Sequence, residues 1–247
     1  MKHGSIFSRN ALRGAANSNP QAKRQILTRF DLTTFKGRLI AYLDYLWTDH
    51  AWLRLGFRNA HWVGTDLVRA NQPWPFQLRA WKKAGIKTVV NLRGHFHTST
   101  HALERDACER LGLKMVDFVV TSREVPSREQ VLGARQMFDQ IEYPALLHCK
   151  SGADRAGIMS VLYAHFRLGQ PIREAMVQLS PKYLHVRQGL TGVLDYVFDR
   201  YLAEGEARGL SFVEWVESDA YDPKAIKADF RANWWGTLLT ERLARRE

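Results

Sequence analysis

The feature that most constrains this fold is an apolar run that ends at a cysteine and is followed six positions later by an arginine. Residues 145–147 predict a short buried strand, and the apolar residues from Ala156 onward predict the helix that follows it. A loop at a helix N-terminus directs several backbone N–H groups toward one point, and the helix dipole adds about half a positive charge there. The sequence therefore predicts an anion-binding loop over residues 149–155.

Two side chains of this loop have chemistry that suits a phosphoryl group. Thiols near helix N-termini and cations ionise readily, and the thiolate is the nucleophilic form, so Cys149 is predicted to be a nucleophile. Arg155 offers a planar fork of donors that matches two phosphoryl oxygens. A lone cysteine at the end of a buried strand is more often a small hydrophobic residue. The combination with Gly152, Gly157 and Arg155 makes that alternative weak.

The order His148-Cys149, five residues and Arg155 resembles the signature of the cysteine-dependent protein tyrosine and dual-specificity phosphatases. Residues 68–73 and 85–94 are similar to the opening motifs of bacterial dual-specificity-like members, so the resemblance covers roughly residues 61–170. It implies metal-independent hydrolysis of phosphate monoesters through a cysteinyl-phosphate intermediate, without a cofactor. It also implies that the phosphate is bound by His148, Lys150, Ser151, Gly152 and Ala153.

Such phosphatases need an acid that protonates the leaving oxygen, and in the family it is usually an aspartate on a loop upstream of the signature. Here that loop, residues 120–126, contains a proline but no aspartate, and Glu124 is its only acid. Asp154, inside the cysteine loop, is an equally ranked candidate, and Asp117 ranks third. The alternatives are a solvated glutamate at 124 and a carboxylate at 154 that orients the loop amides or Arg155.

Ala156 is a second departure from the family pattern. Relatives commonly carry Ser or Thr directly after the arginine, where a hydroxyl eases departure of the thiolate from the phosphoenzyme. Because alanine has no hydroxyl, the resemblance implies a slower second step and an intact first step.

The fold is predicted to be α/β, with a mostly parallel sheet flanked by helices, the cysteine loop at a strand-to-helix junction and extra helices at both ends. Further strands are predicted at 87–92 and 116–120, and helices at 76–84, 99–111 and 127–141. Beyond residue 170, helices are predicted at 172–179, 190–203 and 212–216, and a last helix after Pro223. His185 and Arg187 are predicted to lie in a loop that borders the site, as weak candidates for binding substrate.

The chain divides into a basic tail predicted to be disordered (1–30), a helical extension (31–60), a catalytic domain (61–205) and a helical C-terminal extension (206–247). Residues 1–38 hold eight Lys or Arg and one Asp, a net +7 of the total +11. This surplus suits either contact with an anionic membrane or a solvated tail. The aromatic-rich stretch 39–55 is predicted to pack on the domain rather than lie on a membrane.

The sequence shows no run typical of a signal peptide or a spanning helix, which favours a cytoplasmic protein, with membrane association left open. The expected substrate is a phosphorylated protein or a phosphorylated lipid or inositol, and nucleic acid is not an expected partner. The main alternative is a phosphate-binding module of the pseudophosphatase type, without turnover. A rhodanese-like sulfurtransferase is a weaker alternative, because residues 68–94 resemble the phosphatases.

Overall fold

The computed structural model describes residues 30–94 and 98–244, with side chains described up to residue 234, so the predicted basic tail lies outside it apart from Phe30. The described residues form a five-stranded sheet in the order β1-β2-β5-β3-β4. The strand β1 pairs antiparallel with β2, and the other three pairings are parallel, which confirms the mostly parallel sheet. The strands are β1 (His61–Val63), β2 (Leu67–Asn71), β3 (Thr88–Asn91), β4 (Lys114–Asp117) and β5 (Ala145–Cys149).

Helices cover both faces of the sheet. In β5, Leu147 faces a core shared with α4 and α5, while the neighbouring Leu146 faces a second core with α2 and α3. Strands buried on both faces read as continuous apolar runs, which is why β5 was visible in the sequence. The helices that form these layers are α1 (Phe35–Thr48), α2 (Pro75–Lys83), α3 (Ser99–Leu111), α4 (Arg128–Gln140) and α5 (Asp154–Phe166).

The C-terminal part of the described chain is helical, as predicted, but more broken. Its α-helices are α6 (Ile172–Ala175), α7 (Val193–Arg200), α8 (Phe212–Glu217) and α9 (Pro223–Ala244). Short turns at Met176–Gln178, Pro181–Tyr183 and Leu190–Gly192 and a π-helical turn at Tyr201–Gly205 interrupt them. None of the helices in the described ranges is long and apolar enough to cross a membrane.

Most predicted boundaries hold within two residues. The predicted helix 99–111 is confirmed and ends at Gly112 in the left-handed conformation, and α4 begins after a capping box formed by Ser127 and Gln130. The strand predicted at 116–120 is wrong at its end, because β4 stops at Asp117. The carboxylate of Asp117 accepts a hydrogen bond from Asn91 at the end of the neighbouring strand, and beyond it the amides of Phe118 and Val120 still donate to backbone carbonyls at the end of β3.

The helix α1 packs on the domain with a small part of its surface. Ala41 and Tyr45 are buried against Trp74 and Leu103, and Arg38 forms a bidentate ion pair with Asp106 of α3. The prediction that the stretch 39–55 packs on the domain holds for Ala41 and Tyr45 and is wrong for six other large apolar side chains. Three of them lie on the opposite face of α1 and three in the segment after it, and all are exposed: Leu39, Leu43, Trp47, Trp52, Leu53 and Leu55.

The topology places the carboxyl ends of three strands, β2, β3 and β5, side by side. Cys149 at the end of β5 pairs with Asn71 of β2, and His148 pairs with Asn91 of β3. In open parallel sheets, ligands bind beyond the carboxyl ends of the strands. The cysteine loop therefore lies where this fold presents a site.

Candidate active site

The cysteine loop closes over the sulfur of Cys149. The side chain of Cys149 is buried at the end of β5, and the backbone N–H of Gly152 donates to its Sγ over 3.2 Å. Gly152 adopts φ +77°, and a Cβ at this position would lie 2.7 Å from the backbone nitrogen of Asn71. Glycine is therefore required here, both for the backbone conformation and for the close approach of β2.

Arg69 of β2 holds the loop through hydrogen bonds to its backbone carbonyls. Its fully buried guanidinium donates to the carbonyl oxygens of Gly152 (2.8 Å), Ala153 (2.9 Å) and Gln178 (2.5 Å). Because these loop carbonyls point at Arg69, the adjacent amides are free to point to the other side of the loop. Burial lowers the pKa of Arg69 to about 10, so the side chain stays protonated at neutral pH.

Asp154, the first residue of α5, takes part in a buried network that we call the His185 network: Asp154, His185 and Asp195. His185 Nδ1 lies 2.8 Å from Asp154 Oδ1, and its Nε2 lies 2.6 Å from Asp195 Oδ2. Burial favours the neutral ring, but the hydrogen bonds and charges of the two carboxylates outweigh it and raise the pKa of His185 to about 9. The ring therefore carries both protons at neutral pH and donates one to each carboxylate.

This placement corrects one prediction. His185 does lie beside the cysteine loop, but its side chain is fully buried and both nitrogens are occupied, so it is not available to bind substrate. Arg187 is exposed and forms an ion pair with Asp199.

A second buried network, the Asp49 network, lies on the other side of the loop and consists of Asp49, Gln72, Arg93, Glu104 and His148. The ring of His148 is fully buried, with Nε2 2.7 Å from Glu104 Oε1. Gln72 donates to Glu104 over 3.2 Å and accepts a hydrogen bond from Arg93. Arg93 donates to both oxygens of Asp49, at 2.6 and 3.1 Å.

Asp49 also meets two further cations. Arg54 forms an ion pair with it, and the ammonium of Lys150 lies 3.5 Å from Asp49 Oδ1. Burial opposes ionisation of Asp49, but Arg93 and Arg54 hold its pKa below the usual range. A residue of the N-terminal extension thus reaches the cysteine loop as a fixed anion.

The remaining predicted phosphate ligands lie on the loop. Ser151 is exposed, its hydroxyl accepts from the amide of Ala153 over 3.4 Å, and its carbonyl accepts from Asn59 over 3.1 Å. Arg155 follows Asp154 in the first turn of α5 and is half-buried. The structure therefore brings Cys149, Lys150, Ser151, Gly152, Ala153, Asp154 and Arg155 together at one strand-to-helix junction, whereas His148 faces Glu104.

The other two candidate acids are engaged elsewhere. Glu124 is exposed and forms an ion pair with Lys227 of α9. Asp117 lies 3.0 Å from His101 Nε2 and also contacts Asn91 and Arg105. Burial opposes ionisation of Asp117, yet His101, Asn91 and Arg105 hold its pKa below the usual range, which disfavours it as a proton donor.

Sequence reasoning did not assign Arg69, Asp49, Glu104 or Asp195 to the site. No strand was predicted around Arg69, and the signal available was its place in the motif of residues 68–73 that resembles the opening of the phosphatase domain. The contacts themselves were not visible, because 83 residues separate Arg69 from Gly152 along the chain.

The second cysteine contrasts with the first. Cys108 of α3 is buried among apolar side chains, and burial raises the pKa of its thiol. Cys108 therefore has the character of a structural cysteine, without a helix N-terminus directed at it.

Comparison with known proteins places this site in a family. A sequence model described as "DSP-PTPase phosphatase fused to NAD+ Kinase" matches residues 59–190, which include Arg69, the whole cysteine loop and His185. The chain belongs to this family. It is a phosphatase of the dual-specificity and protein-tyrosine type, and the resemblance seen in the sequence is confirmed. Asp49, Asp195 and Lys227 lie outside the range that the DSP-PTPase model matches.

Solved structures with a similar fold include Tk-PTP in its active form, at 21% identity over 57% of this chain and 97% of that chain, with a TM-score of 0.47. PTPMT1 is 16% identical over 60% of this chain and 99% of its own, with a TM-score of 0.45. TpbA of P. aeruginosa is 15% identical over 70% and 90%, with a TM-score of 0.44. None of the curated proteins matches the chain significantly. The assignment rests on the family match and not on these distant likenesses.

Proposed function

We propose that this phosphatase hydrolyses phosphate monoesters without a metal ion, through a phosphoryl group carried on Cys149. The observation that carries the proposal is the closed loop. The amide of Gly152 donates to Cys149 Sγ, and Arg69 binds the carbonyls of Gly152 and Ala153. The Gly152 amide and the N-terminus of α5, which begins at Asp154, supply a positive field for phosphoryl oxygens beside the sulfur.

The proposed reaction has two steps. In the first, Cys149 Sγ forms a bond to phosphorus, the bond from phosphorus to the ester oxygen breaks, and a proton passes to that leaving oxygen. Arg155 and the amides of residues 150–154 hold the equatorial oxygens. In the second, water attacks phosphorus while its proton passes to the carboxylate that donated in the first step, and the bond from sulfur to phosphorus breaks to release inorganic phosphate and the Cys149 thiolate.

We assign the proton of the first step to Asp154 ahead of Glu124. Asp154 adjoins Arg155 in the first turn of α5 and therefore lies at the cysteine loop. Glu124, by contrast, is exposed and ion-paired with Lys227. A general acid must lie within hydrogen-bond reach of the leaving oxygen, which favours the carboxylate on the loop.

The proposed substrate is a phosphorylated protein or a phosphorylated lipid or inositol. Lys150 and the net charge of +11 suit a substrate with more than one negative charge. A phosphate-binding module without turnover is the second candidate, favoured by the loop that lacks an aspartate and by Ala156.

Phosphate release separates the two candidates. Wild type and Cys149→Ser are assayed with chelator on an aryl phosphate, phosphopeptides, phosphoinositides and a phosphoglycolipid. The enzyme is supported by release that requires Cys149, and the best substrate defines the class. If wild type releases no phosphate while both proteins still bind phosphorylated ligands, the binding module replaces the enzyme.

The acid is tested with Asp154→Asn and the matched variant Glu124→Gln. We expect Asp154→Asn to lower kcat by about 10²-fold for an alkyl phosphate and much less for an activated aryl phosphate, whose leaving group needs no proton. Glu124→Gln should stay near wild type on both. The reverse order of effects would assign the proton to Glu124.

A further inference from the structure

The helix α1 exposes the side chains that a surface helix normally buries. Its contact face includes buried Ala41 and Tyr45, with Tyr42 and Leu46 partly buried beside them. The spacing of four residues places another set along a different face: Phe35, Leu39, Leu43 and Trp47. Phe35 is 84% exposed and Trp47 is 73% exposed. The usual arrangement is the opposite, with the large apolar side chains toward the core.

The exposed apolar face continues past the end of α1. The following turn exposes four more large apolar side chains, and a groove of about 270 Å³ lies between Leu46, Trp47 and Trp52. We call the whole set the α1 surface: Phe35, Leu39, Ile40, Leu43, Trp47, Trp52, Leu53, Leu55 and Phe57. Scattered exposed apolar residues are ordinary, but contiguous ones within one short segment mark an interaction site.

We propose that the α1 surface docks on an anionic lipid bilayer. The α1 surface has the composition of an interfacial helix, since tryptophans and leucines are the side chains that enter the boundary between headgroups and acyl chains. The two tryptophans, Trp47 and Trp52, flank the groove.

Charge selects the bilayer over a second copy of the chain. Residues 1–38, which lead into and include the first turn of α1, hold eight basic residues and one acidic residue, and the whole chain carries +11. Two copies of such a chain repel each other, whereas an anionic membrane attracts basic residues by about 1 kcal/mol for each Lys or Arg near its surface.

The α1 surface also adjoins the cysteine loop. The carbonyl of Phe57 accepts from Asn71 Nδ2 over 2.8 Å, beside Cys149 in the sheet register. Two residues further on, Asn59 donates to the carbonyl of Ser151 over 3.1 Å. Docking through the α1 surface would therefore place the rim of the loop close to the membrane, and this inference stands independently of the reaction at Cys149.

Co-sedimentation of the full-length protein with vesicles tests the proposal. The vesicles contain phosphatidylglycerol and phosphatidylcholine, or phosphatidylcholine alone. We expect wild type to bind the anionic vesicles, with affinity that falls as salt rises, and the double variant Leu43→Ser/Trp47→Ser to bind at least about tenfold more weakly. The matched control is Val177→Ser, an apolar side chain that is 58% exposed outside the α1 surface, and it should bind like wild type.

Hydrolysis of a soluble aryl phosphate and the circular dichroism spectrum verify that the double variant is folded, and both should be unchanged because Leu43 and Trp47 are exposed. The proposal is overturned if wild type does not sediment with anionic vesicles, or if the double variant sediments equally, which would leave basic residues alone responsible. It is also overturned if sedimentation velocity finds a dimer that the double variant abolishes while vesicle binding is absent.

Discussion

Two buried polar networks contact the two ends of the cysteine loop. They differ in how exposed their outermost contacts are and in which segments of the chain supply them. In the His185 network, one protonated ring joins two carboxylates over 2.8 and 2.6 Å, and the ring is fully buried. The Asp49 network runs from buried His148 outward to Asp49, which contacts Lys150, a side chain that is 45% exposed. The first holds the start of α5, and the second connects β5 to the N-terminal extension.

The difference predicts how sensitive each network is to substitution. A buried charge that loses its partner cannot turn to water, so the His185 network is expected to be the more sensitive to substitution. At its outer end the Asp49 network contacts half-exposed Lys150, a partner that water can replace, although Asp49 itself is buried. Its stabilising effect is smaller, but it couples the loop to the segment that carries the α1 surface.

Arg69 lies between the two networks, and its loss should have the largest effect. Arg69→Met leaves the carbonyls of Gly152, Ala153 and Gln178 without their donor. We expect destabilisation by about 3–5 kcal/mol and a fall in kcat of about 10²–10³-fold, because the loop amides lose their orientation. Urea unfolding and steady-state kinetics measure these effects. Wild-type activity in Arg69→Met would contradict the role of Arg69 in orienting the loop.

His185→Gln should have the next largest effect, a loss of about 3 kcal/mol, since Asp195 stays buried without a cation. The pH dependence identifies the cause. The pKa of His185 is raised from 6.5 to about 9 in the folded state, so its stabilisation is complete below about pH 6.5 and is lost as pH rises through 9.

Urea midpoints measured from pH 6 to pH 9.5 test this, because the slope of stability against pH gives the difference in bound protons between the unfolded and folded states. The difference between wild type and His185→Gln should shrink as pH rises, and Asp195→Asn should reproduce the trend. A difference that is constant with pH would mean that His185 is neutral in the folded protein.

Asp49→Asn should have a smaller effect, about 1–2 kcal/mol, because the amide oxygen still accepts a hydrogen bond from Arg54 or Arg93 while the shared negative charge is lost. The low pKa of Asp49 predicts that the effect appears above its titration range and fades in acid. Thermal unfolding at neutral and acidic pH measures both. A loss larger than that of His185→Gln would reverse the comparison between the networks.

Ala156→Ser should have the smallest effect on stability and a specific effect on kinetics. A hydroxyl directly after Arg155 is expected to speed release of phosphate from Cys149 by roughly tenfold, less than a proton-transferring group provides. Wild type should therefore show a burst of phenol from an aryl phosphate, and Ala156→Ser a smaller one. Phenol release by wild type at a constant rate from time zero would contradict a slow second step.

The parts of the fold that the sequence predicted are those with local causes. The strand β5, the loop and α5 follow from an apolar run, from glycine and from the start of the helical pattern, all within residues 145–166. The end of β4 was predicted too late, because the pairing of Asp117 with Asn91 and His101 depends on tertiary contacts. The partner of Asp154 was hidden for the same reason, since 31 residues separate it from His185.

Cys149 as the carrier of the phosphoryl group is tested by quenching the protein during hydrolysis of an aryl phosphate and mapping the modified peptide by mass spectrometry. We predict one added phosphoryl group on the peptide that contains Cys149, none on the peptide that contains Cys108, and none in Cys149→Ser. Phosphate release that continues in Cys149→Ser, or a phosphoryl group found only elsewhere in the chain, would contradict the account.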